Sequence, residues 1–249
     1  MISKLLFNKG SFIFTAVIAS SLFAVSTSAQ AADPRELLER MSTELAGLDS
    51  FILSGDAYAD ARLDAGQIIE NSSQATMRVR KPDAMRLTMR NEEGVKEVVF
   101  GSGVLTLYSE KYNFYAQTEI PEGLGAAVDV AINDVGIDAP MLDLLSNNFG
   151  DQLLIDAEEV THLGASLIRG KMFEHIAIRN SEADIQIWIA ADGPPLPGKM
   201  VISSKWEGGS PRFVVFFDWD TDPDLPTGAV SFAPPANATK IEFLFDQDL

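Results

Sequence analysis

Gln74-Ala75-Thr76-Met77-Arg78-Val79-Arg80-Lys81-Pro82-Asp83-Ala84-Met85-Arg86-Leu87-Thr88-Met89-Arg90 decides the fold class of this chain. Ala75, Met77 and Val79 alternate with Gln74, Thr76, Arg78 and Arg80. After a break, Met85, Leu87 and Met89 alternate with Arg86, Thr88 and Arg90. A period of two with one apolar side is the pattern of a strand lying with one face on a core. Lys81-Pro82-Asp83 interrupts the pattern, because proline cannot donate to a central ladder and favours a turn. The stretch reads as an antiparallel hairpin with a methionine-rich side and a basic side.

The same period extends outward from this hairpin. Phe51, Leu53, Ala57, Ala59 and Ala61 alternate with Ser54, Asp56, Asp60 and Arg62 ahead of a turn near Asp64-Ala65-Gly66. Strands follow at Val95–Phe100, Val104–Tyr108 and Tyr112–Gln117. A second series runs over Val160–Arg169, Met172–Arg179, Ile185–Ala190, Lys199–Trp206 and Arg212–Trp219, with a last strand at Ile241–Phe245. Short strands joined by tight turns describe an antiparallel meander. Helical spacing is confined to two places. Asp33 as N-cap, Pro34 at the first position and Glu36 precede the stripe Leu37, Leu38, Met41, Leu45 and Leu48. In the middle, Leu124, Val128, Ile132 and Val135 follow Pro121, and Met141, Leu142, Leu144 and Leu145 follow Asp138-Ala139-Pro140. The expectation is an α+β domain of roughly ten strands and three helices, the helices on the concave face of one large curved antiparallel sheet. A sheet this long must curl or close, and opened slightly it forms an apolar pocket.

The N-terminus sets the compartment. Lys4 and Lys9 precede a mostly apolar run from Phe12 to Val25, and Ala29-Gln30-Ala31 supplies small residues for cleavage. The run is short of the roughly 20 apolar residues of a membrane span. We therefore expect a cleaved signal over residues 1–31 and a single domain over 32–249, soluble, periplasmic and not itself membrane-anchored. The formal net charge is −17. Loss of Lys4 and Lys9 makes it −19, which disfavours nucleic acid and anionic membranes. There is no cysteine, hence no disulfide, no thiolate nucleophile and no lipid-bearing Cys.

Several segments resemble the LolA/LolB-like superfamily of lipoprotein carriers. These are Val79-Arg80-Lys81-Pro82-Asp83-Ala84-Met85-Arg86, then Leu105-Thr106-Leu107-Tyr108 with Tyr115, and Phe232-Ala233-Pro234-Pro235-Ala236. The pattern over residues 33–245 is most similar to a branch of that superfamily, the DUF2092 family of predicted periplasmic proteins. Gly136-Ile137-Asp138-Ala139-Pro140, Asp184-Ile185-Gln186-Ile187-Trp188-Ile189 and the Leu196-Pro197 step belong to that likeness. The resemblance implies an unclosed, LolA-like β-barrel and a carrier-like role for lipid or lipoprotein. Where the carriers place Arg before the turn proline, this chain has Lys81, a point charge rather than a planar fork.

Catalytic residues, metal ligands and cofactors are not expected. His162 and His175 are the only histidines, and their spacing is not that of a metal site. Asp218-Trp219-Asp220-Thr221-Asp222-Pro223-Asp224 alternates carboxylates, but Pro223 and Ala229 stand where a calcium loop needs Gly and Glu. The candidate ligand-binding residues are Met77, Met85, Leu87, Met89, Leu105, Leu107 and Phe114. Flexible methionines suit varied apolar ligands, although any one of them is more readily a core residue. Arg80, Lys81 and Arg86, flanked by Arg78 and Arg90, are the candidate contacts to an anionic headgroup or a partner. The reading is a binding protein for a hydrophobic small molecule, lipid or lipoprotein. The alternatives are an envelope-stress or regulatory module that binds an envelope protein and, third, a carboxylate-dependent hydrolase.

Overall fold

The computed structural model describes residues 32–137, 140–146, 148–205 and 211–243. The segment read as a signal lies outside these residues. So do Asp138, Ala139, Asn147, Trp206 and positions 244–245 of the last expected strand.

Helix α1 (Pro34–Gly47) starts where the sequence places it. Asp33 Oδ1 accepts a hydrogen bond from Arg35 N at 2.9 Å, and Pro34 occupies the first turn. Leu37, Leu38, Met41 and Leu45 are buried on one stripe. The chain then enters six consecutive antiparallel strands: β1 (Ser50–Arg62), β2 (Ile68–Arg80), β3 (Ala84–Asn91), β4 (Gly94–Gly101), β5 (Val104–Ser109) and β6 (Phe114–Glu119). A helical stretch follows, comprising α2 (Leu124–Asp129), a π turn at Val130–Asp134, a 3-10 turn at Leu142–Leu145 and α3 (Phe149–Leu154). The second meander is β7 (Glu159–Ile168), β8 (Lys171–Arg179), β9 (Ala183–Ala190), β10 (Pro197–Ser204) and β11 (Arg212–Asp220), and β12 (Thr239–Ile241) ends the described chain.

All twelve strands belong to one sheet, in the order β12-β6-β5-β4-β3-β2-β1-β11-β10-β9-β8-β7. The two meanders meet where β1 pairs with β11, Ile52 opposite Asp220 and Ala59 opposite Phe213. Every pairing is antiparallel except β12 against β6. β7 and β12 lie at opposite ends of the order, so the sheet is unclosed. The α+β architecture expected from the strand and helix pattern is the one observed.

Register assigns the faces. Val79 stands opposite Met85, Met77 opposite Leu87 and Ala75 opposite Met89. Met85 pairs in turn with Phe100, and Leu87 with Val98. These residues share the inner face with Phe51 and Leu53, and with Ile176, Ile187 and Val215 of the second meander. Together with the stripe of α1, Leu124, Leu142 and Phe149, they form one core. The core therefore sits between the sheet and the helical elements. Among the described residues, no helix is long and apolar enough to cross a membrane.

The outer face carries a strap. After β11 ends in the middle of the sheet, residues 221–238 run to the edge beyond β6. Phe232 lies on Tyr108 and Tyr115 with ring centroids 5.9 and 5.4 Å apart. Those two tyrosines pair across β5 and β6 on the outer side. Asn113 fastens the end of the strap, donating from Nδ2 to Ala236 O and accepting Thr239 N at its own carbonyl. Within the Phe-Ala-Pro-Pro segment it is the Phe232 ring that covers this part of the outer face.

Three expectations about elements differ from the structure. β6 starts at Phe114 rather than Tyr112, because Asn113 adopts a left-handed conformation (φ 51°) and closes a turn onto Glu110 O. Asparagine tolerates that conformation better than most residues. The first middle helix is α2 continued by the π turn, Leu124 to Asp134, set between Gly123 (φ 101°) and Gly136 (φ 70°), and the second, short one is a 3-10 turn, Leu142–Leu145. The last strand is Thr239–Ile241, earlier than Ile241–Phe245, because it is set by the parallel edge of β6.

Candidate functional site

Alternation along β1 and β2 puts unusually small side chains on the inner face. Ala57 stands opposite Ser73, and Ala75 lies one pair further along β2. Across the sheet, Ala116 stands opposite Leu107. Where the core half has Leu53, Met77 and Phe100, this half has methyl and hydroxymethyl groups. The space they leave is a cavity of about 600 Å³. Its floor is Ala57, Ser73, Ala75, Leu87, Met89, Val98, Leu107 and Ala116, and Ile241 of β12 and Phe213 of β11 lie on its flanks. Gly136, Ile137, Pro140 and Met141 cover it from the helical side. Gly55 seats that cover, because a Cβ there would lie 3.2 Å from Met141 Sδ. Arg90, Asn91, Lys96, Ser109, Tyr112 and Phe114 surround the cavity where it meets solvent. The volume falls within the roughly 300–1,000 Å³ common among small-molecule sites.

The seven apolar candidates divide into two groups. Leu87, Met89, Leu107 and Phe114 line the cavity. Met77, Met85 and Leu105 are wholly buried in the neighbouring core and do not line it. Met77 and Met85 fill the sheet beside Phe51 and Phe100, which is ordinary packing for a flexible side chain. Sequence reasoning misses the alanines and serine that make the hollow. Their signal is present in the same alternation, as a run of small residues where large ones are usual.

The basic candidates are not at the cavity. Arg78, Arg80 and Arg86 alternate with inward residues and so project from the outer face. Arg86 is bridged to Glu97 at 3.4 Å, and its Nε is buried without a partner among the described residues. Lys81 has turned to a different task. Its Nζ donates to Leu45 O and Ala46 O, both at 2.9 Å, and its backbone N donates to Asp49 O at 2.8 Å. It therefore clamps the C-terminal end of α1, where free carbonyls and the helix dipole favour a cation. Burial pulls the Lys81 pKa below the usual lysine range, and Asp49 acts against that pull. Lys81→Ala is expected to cost about 1–2 kcal/mol in urea denaturation, the scale of a lost charged cap. A variant as stable as the parent would show that the clamp is idle.

The two histidines are also held by local partners. His162 Nε2 lies 2.6 Å from Glu174 Oε2. His175 is stacked on Trp188 at 4.0 Å and reaches Gln186 Oε1 at 3.0 Å, and burial lowers its pKa. Of the acidic run, Asp218 lies in β11 and is paired with Arg169, while Asp220 accepts the backbone N of Asp222. The aromatic between them, Trp219, turns inward against Phe51.

A family described as "Predicted periplasmic protein (DUF2092)" matches residues 34–244. The chain belongs to the DUF2092 family. The match spans the strands and helices from α1 to β12, and the residues that line the cavity fall within it. No curated protein matches the chain. The DUF2092 protein is similar to an uncharacterized conserved protein from Thermus thermophilus (10% identity, TM-score 0.49, covering 84% of this chain and 98% of that one). It is similar also to the lipoprotein LppX of Mycobacterium tuberculosis (13% identity, TM-score 0.46, 76% and 96% covered). A third likeness is to a LolA superfamily protein from Nitrosomonas europaea (11% identity, TM-score 0.40, 81% and 99% covered).

Proposed function

We propose that this DUF2092 protein is a periplasmic binding protein that holds an apolar ligand, an acyl chain or a comparable lipid group, in the cavity of its unclosed sheet. Residues 1–31 act as a removed signal, and residues 32–249 fold as one domain. The role is to carry or store the ligand, and no reaction is part of it. The observation that carries the reading is the hollow itself. A sheet that packs Leu53, Met77 and Phe100 tightly on one half places Ala57, Ser73, Ala75 and Ala116 on the other, where larger residues would close the space. Interiors otherwise pack to the density of organic crystals. An apolar hollow of this size also offers burial of ligand surface worth about 0.8 kcal/mol per methylene.

Filling the hollow tests the reading. Ala75→Trp places an indole in the cavity on a strand whose backbone pairing is untouched. The variant is expected to keep its thermal midpoint and lose uptake of a fluorescent apolar probe. Unchanged uptake by the folded variant, or no uptake by the parent, would overturn the proposal.

A further inference from the structure

One charged side chain stands on the cavity's own face of the sheet. The protein carries a net −17, yet the charged residues around the cavity are Arg90, Lys96 and Glu97. Arg90 and Glu97 do not act there: Arg90 alternates with Met89, and Glu97 with Lys96 and Val98, so both project from the outer face, and Glu97 is paired with Arg86. Lys96 is the inward one, standing opposite Met89 on β3 and Ser109 on β5. Its ammonium is half-exposed and reaches Glu93 Oε2 at 3.0 Å. Lys111, which lies over the Tyr112 ring, also draws on that carboxyl, and the two lysines together hold Glu93 below the usual carboxylate range. The Lys96 ammonium thus stands at the edge of an apolar hollow, tied to an exposed carboxylate that a ligand can replace.

We infer that the ligand is a single-chain anionic amphiphile whose carboxylate is held by Lys96 while its chain lies along Met89, Leu107 and Ala116. The inference rests on the cavity reading above and narrows it. Size sets the single chain. At about 600 Å³ the cavity lies in the roughly 300–1,000 Å³ range of sites that hold one small molecule, which suits one acyl chain rather than the two or three of a membrane lipid or lipoprotein anchor. Charge sets the head. An apolar neutral ligand gains nothing from Lys96, whereas a carboxylate replaces solvent and part of the Glu93 contact with a charge-assisted hydrogen bond.

The test uses cis-parinaric acid, a fluorescent single-chain fatty acid, and its methyl ester, titrated into the secreted protein after delipidation. The parent is expected to bind one acid molecule per chain and to prefer acid over ester by about five-fold, the upper range for a partly exposed ion pair. Lys96→Met should erase the preference and leave ester affinity unchanged, while Lys96→Arg keeps it. Glu93→Gln should widen it by freeing the ammonium. Lys96 is exposed, so none of these variants threatens folding. An acid-to-ester ratio that is equal in the parent and in Lys96→Met, with both probes bound, overturns the anchor and leaves the cavity reading standing. Two or more acid molecules per chain overturn the single-chain assignment. Failure of the parent to bind either probe overturns both readings.

Discussion

Leu105→Asp is expected to leave the protein unfolded, while Leu107→Asp, two residues along the same strand and on the same face, folds and fails to take up apolar probes. Leu105 is fully buried, paired across the sheet with Phe100 and Thr118. A carboxylate at this position has no cation beside it and no route to water. The cost is several kcal/mol, a large part of the roughly 5–15 kcal/mol that holds a domain together. Leu107 stands opposite Val98 and Ala116 and faces the cavity, where water can solvate a charge. Circular dichroism and probe fluorescence on the two variants separate the outcomes. Two variants that behave alike would show that core and cavity do not divide between positions 105 and 107.

The second large effect is at Gly150, where α1 and α3 touch. A Cβ there would lie 2.7 Å from Leu38 O and 2.6 Å from Ser42 Oγ. Gly150 N donates to Ser42 Oγ at 2.6 Å, so the backbones are held close by a bond as well as by packing. Ser42 could rotate away, but the Leu38 carbonyl belongs to a helix whose side chain at that position is fully buried. Gly150→Ala is expected to cost about 1–3 kcal/mol, the scale of overpacking a close contact. In a domain of this size that lowers the thermal midpoint by several degrees, at about 2–4 °C per kcal/mol. Adding Ser42→Gly should not restore the midpoint, since the backbone clash remains. Full rescue by Ser42→Gly would place the whole constraint on the serine side chain.

The hairpin through Lys81-Pro82 was legible in the sequence because two physical signals agree there: a period of two on both arms, and a proline at the break. The inner-face register followed from it, as did the basic outer side. The site was less legible. A cavity arises from what is missing between side chains, and the residues that make it, Ala57, Ser73, Ala75 and Ala116, carry no chemistry that attracts notice. The methionines attracted notice and divided, Met89 lining the cavity and Met77 and Met85 in the core. Lys81 stood beside arginines in sequence, but the turn at Pro82 carries it to the end of α1, a contact between distant segments that no local pattern reports. Helix α3 escaped for a simpler reason. At six residues, Phe149–Leu154 is too short to display a helical period.

The seam between β1 and β11 bears on how the chain comes to be folded. β1 is the first strand to be synthesised and β11 nearly the last, yet Ile52 must find Asp220 and Tyr58 must find Val214 before the middle of the sheet is continuous. Long-range pairings of this kind are slow, because the entropy of closing the intervening loop is spent before the contact repays it. The first meander alone exposes the bare edge of β1, with its Phe51 and Leu53 side uncovered by the second. A growing or threading chain therefore has no finished structure to adopt until its far end arrives. Delay, a hazard for a protein that folds where it is made, suits the export proposed above, in which the chain crosses a membrane as an open strand and closes afterwards.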